Sequence, residues 1–239
     1  MSVDLETTVC DIALEHPQAV RVFESFGIDY CCGGGQSLEE ACRQANVGIE
    51  TVREALRRPA DAADASGNWA SASLEELTDH IVARHHAFVR RETARLAELL
   101  GKVKAKHNTN HPELDRLEEL FRALASELKV HMMKEEQVLF PMIRQLEEAS
   151  REEDADTAAF AGIMFPMERM ISEHEDAGGA LRQIRSLTGC FQAPPDACPS
   201  FHALYQGLEE FERDLHQHIH LENNILFPSA RRVAGLTEP

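Results

Sequence analysis

Two segments of this chain place a histidine four residues ahead of a glutamate: His131 with Glu135, and His218 with Glu222. Each pair is followed by the same tripeptide, Leu139-Phe140-Pro141 and Leu226-Phe227-Pro228, so both segments read H-x3-E-x3-L-F-P. On a helix, a spacing of four stacks the two side chains on one face, one turn apart. Imidazole and carboxylate so placed make a mixed nitrogen and oxygen donor set for a metal ion.

The face they occupy is apolar. Steps of three and four through the first segment give Leu117, Phe121, Leu124, Leu128, His131, Glu135, Val138 and Met142. The second gives Leu204, Leu208, Phe211, Leu215, His218, Glu222 and Ile225. These are the stripes a bundle helix buries. A third pattern, Ile163, Met167, Met170, His174, Ala177, Leu181 and Ile184, carries one histidine. A fourth contains His85 and His86. Its register through His86 reads Val82, His86, Val89, Thr93, Leu96, Leu100 and Val103, whereas a register through His85 would bury Glu92 and Arg95. Burial cost selects His86.

The elements that must position these residues are four long helices, predicted over 74–104, 112–147, 163–189 and 200–226, with no strand. Short connections imply an up-down-up-down four-helix bundle. Pro141 and Pro228 are expected to kink or end their helices. The seam histidines 86, 131, 174 and 218 recur at intervals of 45, 43 and 44 residues. In antiparallel helices, a near-constant interval returns the chain to the same height. Four imidazoles and two carboxylates should therefore meet in one layer. Burying that layer bare would be costly, and a metal cluster removes the cost. Six ligands suit two ions better than one. With Glu135 and Glu222 bridging, each ion keeps an open position for an oxo or hydroxo bridge and an outside ligand. Such a donor set favours non-haem iron, with manganese second. Zinc prefers fewer ligands.

Ahead of the bundle, residues 1–58 read as a small unit of short helices. Thr7-Thr8 can cap the first helix, Gly27 stops the second, and Ser37-Leu-Glu-Glu40 is a capping box. Residues 59–72 read as a linker, and Ser73-Leu-Glu-Glu76 opens the larger region at 73–239. Cys31-Cys32 precede a glycine run and a helix start, an environment that favours thiolate. Cys10, Cys42, Cys190 and Cys198 read as structural. His80 and His85 are candidates for outer partners of the metal ligands; the remaining histidines read as surface groups or further outer partners.

Composition sets outer limits. The 239 residues carry 24 basic and 41 acidic side chains, a net charge of −17, with twelve histidines and six cysteines. That surplus argues against nucleic acid or anionic lipid as the main ligand. A 43% hydrophobic content suffices for a core. The N-terminus lacks the basic and apolar regions of a signal peptide, and no apolar run is long enough to span a membrane, so the expected location is cytoplasmic.

The sequence resembles the hemerythrin-like di-iron bundle and, more narrowly, the iron–sulfur cluster repair di-iron (RIC) family. The resemblance rests on Asp29-Tyr-Cys-Cys-Gly-Gly34, His131 through Pro141, Ser172-Glu-His174, and Leu221-Glu-Asn-Asn224 with Leu226-Phe-Pro228. It covers nearly the whole chain. It implies a non-haem di-iron centre with His86, His131, His174, His218, Glu135 and Glu222 as ligands. It further implies restoration of clusters damaged by oxidative or nitrosative stress through supply of iron, with damaged or apo iron–sulfur proteins as partners. Cys31 and Cys32 would then assist docking or transfer. The acidic connection at 148–157 is a departure. The enzyme class stays open at this stage. A di-iron nitric oxide reductase or peroxidase is the second reading, and a hemerythrin-like sensor of oxygen or nitric oxide the third. A homodimer is compatible with the sequence.

Overall fold

The computed structural model describes residues 4–16, 18–31, 34–57, 69–151, 160 and 162–236. Cys32, Gly33, most of the 59–72 linker and the acidic connection from residue 152 lie outside them. All regular elements among the described residues are helical.

Four short helices come first: α1 (Val9–Glu15), α2 (Ala19–Ser25), α3 (Leu38–Gln44) and α4 (Ile49–Arg57). Thr8 caps α1 by accepting from Asp11 N–H, and Ser37 caps α3 by accepting from Glu40 N–H. The Glu40 side chain meets Arg43 and Gln44. Gly27, at φ 65°, takes the left-handed conformation that ends α2 at little cost.

Four long helices follow. α5 joins Leu74–His80 to Ala87–His107 through a π-helical turn at Ile81–His86. Its Ser73 capping box is complete, with Oγ accepting from Glu76 N–H and the Glu76 carboxylate from Ser73 N–H. α6 runs Glu113–Lys134, a π-turn Glu135–Leu139, then Phe140–Ala149. α7 is Met164–Leu187. α8 runs Pro199–His220, a π-turn Leu221–Leu226, then Phe227–Val233.

Neither proline ends its helix. Pro141 and Pro228 each sit in the first turn of the α-segment that resumes after a π-turn. The widened i→i+5 bonding absorbs the missing N–H and the ring's clash with the preceding turn. α8 therefore extends to Val233, beyond the expected limit of 226.

The extra residue in each π-turn also shifts the seam. On the long side of the ligand layer the expected residues are buried: Leu117, Phe121, Leu124 and Leu128 on α6; Leu204, Leu208, Phe211 and Leu215 on α8. Past the layer, Val138 is 51% exposed, and Leu139, Phe140, Ile143 and Leu146 are buried in its place. Ile81 replaces Val82 on α5; Leu226, Phe227 and Ala230 replace Ile225 on α8. α7 has no π-turn and keeps one register throughout.

The antiparallel order shows in the core, which the ligand layer divides. One cluster joins the C-terminal parts of α5 and α7 to the N-terminal parts of α6 and α8, and continues into Val9, Phe23, Tyr30 and Leu38 of the N-terminal helices. The other joins the opposite ends, including Leu77, Ile143, Met167 and Phe227. Gly207 lets α8 pack close against α5: a Cβ there would lie 2.7 Å from Leu96 Cδ2.

Candidate metal centre

The six seam residues converge where the two core clusters meet, each 3% exposed or less. His86 Nε2 lies 3.2 Å from His218 Nε2, and His131 Nε2 lies 3.0 Å from His174 Nε2. The carboxylates stand between these two pairs. Glu135 offers Oε2 to His86 at 3.3 Å and Oε1 to His131 at 3.1 Å. Glu222 offers Oε1 to His218 at 2.9 Å and Oε2 to His174 at 3.0 Å. The result is two four-residue donor groups, His86/Glu135/His218/Glu222 and His131/Glu135/His174/Glu222, which share both carboxylates.

The arrangement is unfavourable without a cation. In each imidazole pair two ring nitrogens face each other, 3.2 Å apart for His86 and His218 and 3.0 Å apart for His131 and His174. Both oxygens of Glu135 and Oε2 of Glu222 are buried, and the imidazole nitrogens beside them are close but give no well-aligned hydrogen bond among the described residues. Burial alone would raise the Glu222 pKa, yet His218 and His174 hold it well below the usual carboxylate range. Burial would lower that of His131, but the Glu135 charge outweighs it and pushes the value up to about 9. Bound cations resolve this conflict by taking the lone pairs and neutralising the carboxylates. The donor set therefore fits bound metal.

Comparison with known proteins agrees with this geometry. Residues 77–230 match the Hemerythrin HHE cation binding domain, and residues 5–60 match a Domain of Unknown function (DUF542). The iron-sulfur cluster repair protein YtfE of Escherichia coli O157:H7 is 37% identical over 94% of this chain and 96% of its own length. YtfE of Citrobacter koseri is 36% identical over the same shares. The probable iron-sulfur cluster repair protein of Haemophilus influenzae is 37% identical over 91% of this chain and 93% of its own. This chain belongs to the iron–sulfur cluster repair protein family.

In this repair-family chain the groups behind the imidazoles are as well defined as the donor atoms. His86 Nδ1 donates to Glu136 Oε1 at 2.6 Å, His131 Nδ1 to Glu173 Oε2 at 3.1 Å, and His174 Nδ1 to Asn223 Oδ1 at 2.8 Å. Sequence reasoning did not assign these partners. The signal was adjacency: each lies next in sequence to a ligand candidate. His85 is also buried, against the expectation that only one of the adjacent histidines faces inward. The π-turn at 81–86 turns both in. His85 meets Asp214 Oδ2 at 3.2 Å and stacks on His218, with centroids 5.7 Å apart and planes at 12°. The Glu92 burial that seemed prohibitive occurs as well, matched by Arg91 and Arg95. His80 touches the His85 ring edge-on.

The N-terminal helices of this family member do reach the bundle, at α8. Tyr30 is fully buried; its ring packs edge-on to His220 at 5.3 Å, and its hydroxyl donates to Glu24 Oε1 at 2.9 Å. Gln217 Nε2 donates to the same Glu24 oxygen at 3.1 Å. Gly34 has to be glycine, because a Cβ would lie 2.4 Å from the Tyr30 carbonyl oxygen. Cys31 follows Tyr30 but is outside both donor groups. Its Sγ donates to Asp29 Oδ1 at 3.4 Å. Cys32 lies outside the described residues. Of the cysteines read as structural, Cys42 is buried, and burial pushes the Cys10 thiol up to about 11. Cys198 precedes α8, with Sγ 3.2 Å from His107 Nε2.

Proposed function

We propose that this chain holds two non-haem iron ions in its His/Glu layer and donates iron to iron–sulfur clusters damaged by oxidative or nitrosative stress. The observation that carries the reading is the pair of donor groups sharing Glu135 and Glu222. His86 and His218 would hold one ion and His131 and His174 the other, with both glutamates bridging. Iron bound there supplies the redox and Lewis-acid chemistry. The protein's part is to fix four imidazoles by packing and outer hydrogen bonds, to offer two buried carboxylates, and to limit the approach of water.

A groove of about 330 Å³ runs between α6 and α7 to His131 and His174, with Lys134, Arg169 and Glu173 on its wall. It gives small molecules such as nitric oxide or oxygen a way toward the layer. This favours nitric oxide reduction as the second reading. The division into a Cys-Cys unit at 1–58 and a bundle at 73–239 belongs to the same proposal, as do damaged or apo iron–sulfur proteins as clients. So does a cytoplasmic location. No helix among the described residues is long and apolar enough to cross a membrane.

The test is metal analysis with Mössbauer spectra, followed by reactivation of an iron–sulfur enzyme inactivated with nitric oxide. Two irons per chain and iron-dependent reactivation are expected. A chain that retains only zinc would overturn the reading. Turnover of nitric oxide to nitrous oxide without reactivation would favour the second one.

Iron loading should also depend on pH. With its pKa pushed up to about 9, His131 of the metal-free chain carries a proton at neutral pH that the metal must displace. Apparent affinity should therefore rise as pH rises from 6 toward 9, with proton release. Calorimetric titrations in two buffers of different ionisation enthalpy measure that release directly. An affinity that stays the same between pH 6 and 8, with no proton release, would contradict a metal that displaces a proton from His131.

A further inference from the structure

The hydrogen bonds behind the four imidazoles are not distributed evenly. A neutral histidine that gives its Nε2 lone pair to a metal carries its hydrogen on Nδ1, and that hydrogen needs an acceptor when buried. His131 and His174 both have one, in Glu173 and Asn223. Glu173 is itself anchored by Lys134 at 2.6 Å and Arg169 at 2.7 Å. In the other pair, His86 is supported by Glu136, which Arg90 also holds at 2.6 Å. His218 is different: its Nδ1 is buried and finds no partner among the described residues. The stacked His85 ring fixes the plane of His218 but offers its Nδ1 no acceptor.

We propose that the two metal positions are unequal, with His131 and His174 forming the tighter one and His86 and His218 the weaker one. This rests on the two-ion reading above and goes beyond it by naming the position that fills last and empties first. Loss of an outer partner of a ligating histidine lowers metal affinity by about 10–100-fold, which sets the expected gap. Asn223 is then a positioning residue for the tighter site. Repulsion between two ions would also weaken the second binding step, but it does not say which position is second. The assignment therefore has to come from variants.

The experiment is an anaerobic calorimetric titration of the metal-free full chain with ferrous ion, alongside metal analysis. The wild type should bind two equivalents in steps about 10–100-fold apart. His218→Ala should keep one equivalent at the affinity of the first step. His174→Ala should keep only the weaker binding. Asn223→Leu retains all six donor residues and should weaken the first step about tenfold or more, leaving the second unchanged. Equal steps in the wild type would overturn the inequality. So would a tight equivalent that survives His174→Ala but not His218→Ala, or a first step that Asn223→Leu leaves untouched. A wild-type chain that binds no ferrous ion would overturn the two-ion reading itself, a result distinct from two ions bound equally.

Discussion

Glu135→Ala combined with Glu222→Ala is expected to reduce the iron content to background and bring reactivation of a nitric-oxide-damaged iron–sulfur enzyme down to the protein-free level. Each carboxylate gives one oxygen to each imidazole pair, so removing both deprives both donor groups of half their residues and of all their negative charge. Four imidazoles without a carboxylate leave a cation's charge uncompensated in a buried layer. The helices should survive the change, because the apolar clusters on either side of the layer do not include these residues. Far-ultraviolet circular dichroism checks that, and metal analysis with the reactivation assay checks the loss. Full iron and full repair in the double variant would mean that the site lies elsewhere. Glu135→Gln, which keeps volume and hydrogen-bonding shape, should also lose iron, which separates charge from packing.

Tyr30→Ala is expected to cost about 3–5 kcal/mol, the range for truncating a large buried aromatic side chain. It should also loosen the N-terminal helices from α8. The ring is fully buried against Phe23 and His220, and its hydroxyl shares Glu24 with Gln217 of α8. Tyr30→Phe keeps the ring and loses one hydrogen bond, at about 1 kcal/mol. Thermal unfolding of the metal-free chain gives the energies, and limited proteolysis between α4 and α5 reports detachment. If Tyr30→Ala melts like Tyr30→Phe, with the N-terminal helices equally protected, then this ring is not what seats them.

The ligand layer was legible because its signals are local and periodic. His and Glu four apart on an apolar stripe, repeated with the same Leu-Phe-Pro sequel, can be read without knowing how the helices pack. The caps at Thr8, Ser37 and Ser73 were legible for the same reason. What lay beyond reach depended on geometry that a strict 3.6-residue period does not contain. Val138 was placed in the seam and is exposed, because one added residue in the π-turn rotates everything after it. His86 is preferred to His85 because an α-helical register through His85 would bury Glu92 and Arg95, whereas the π-turn turns both histidines inward. Glu136, Glu173 and Asn223 gave no periodic signal, since they face a neighbouring helix and not the seam. The meeting of Tyr30 with His220 joins residues 190 positions apart in the chain, and neither carries a motif that names the other.

The three π-turns have a consequence for how this bundle can change. A helix that gains one residue is rotated by about 100° beyond that point. Here α5, α6 and α8 each take up that slack at the same height, and α7 alone runs straight past them. The bundle is in effect two shorter bundles of different phase, spliced at the layer that holds the six donor residues. Trimming a single turn back to α-geometry would put one helix out of step with its neighbours across one entire half of the core. The three turns are therefore a matched set, to be kept or lost together, at the level where one apolar cluster gives way to the other across the polar layer.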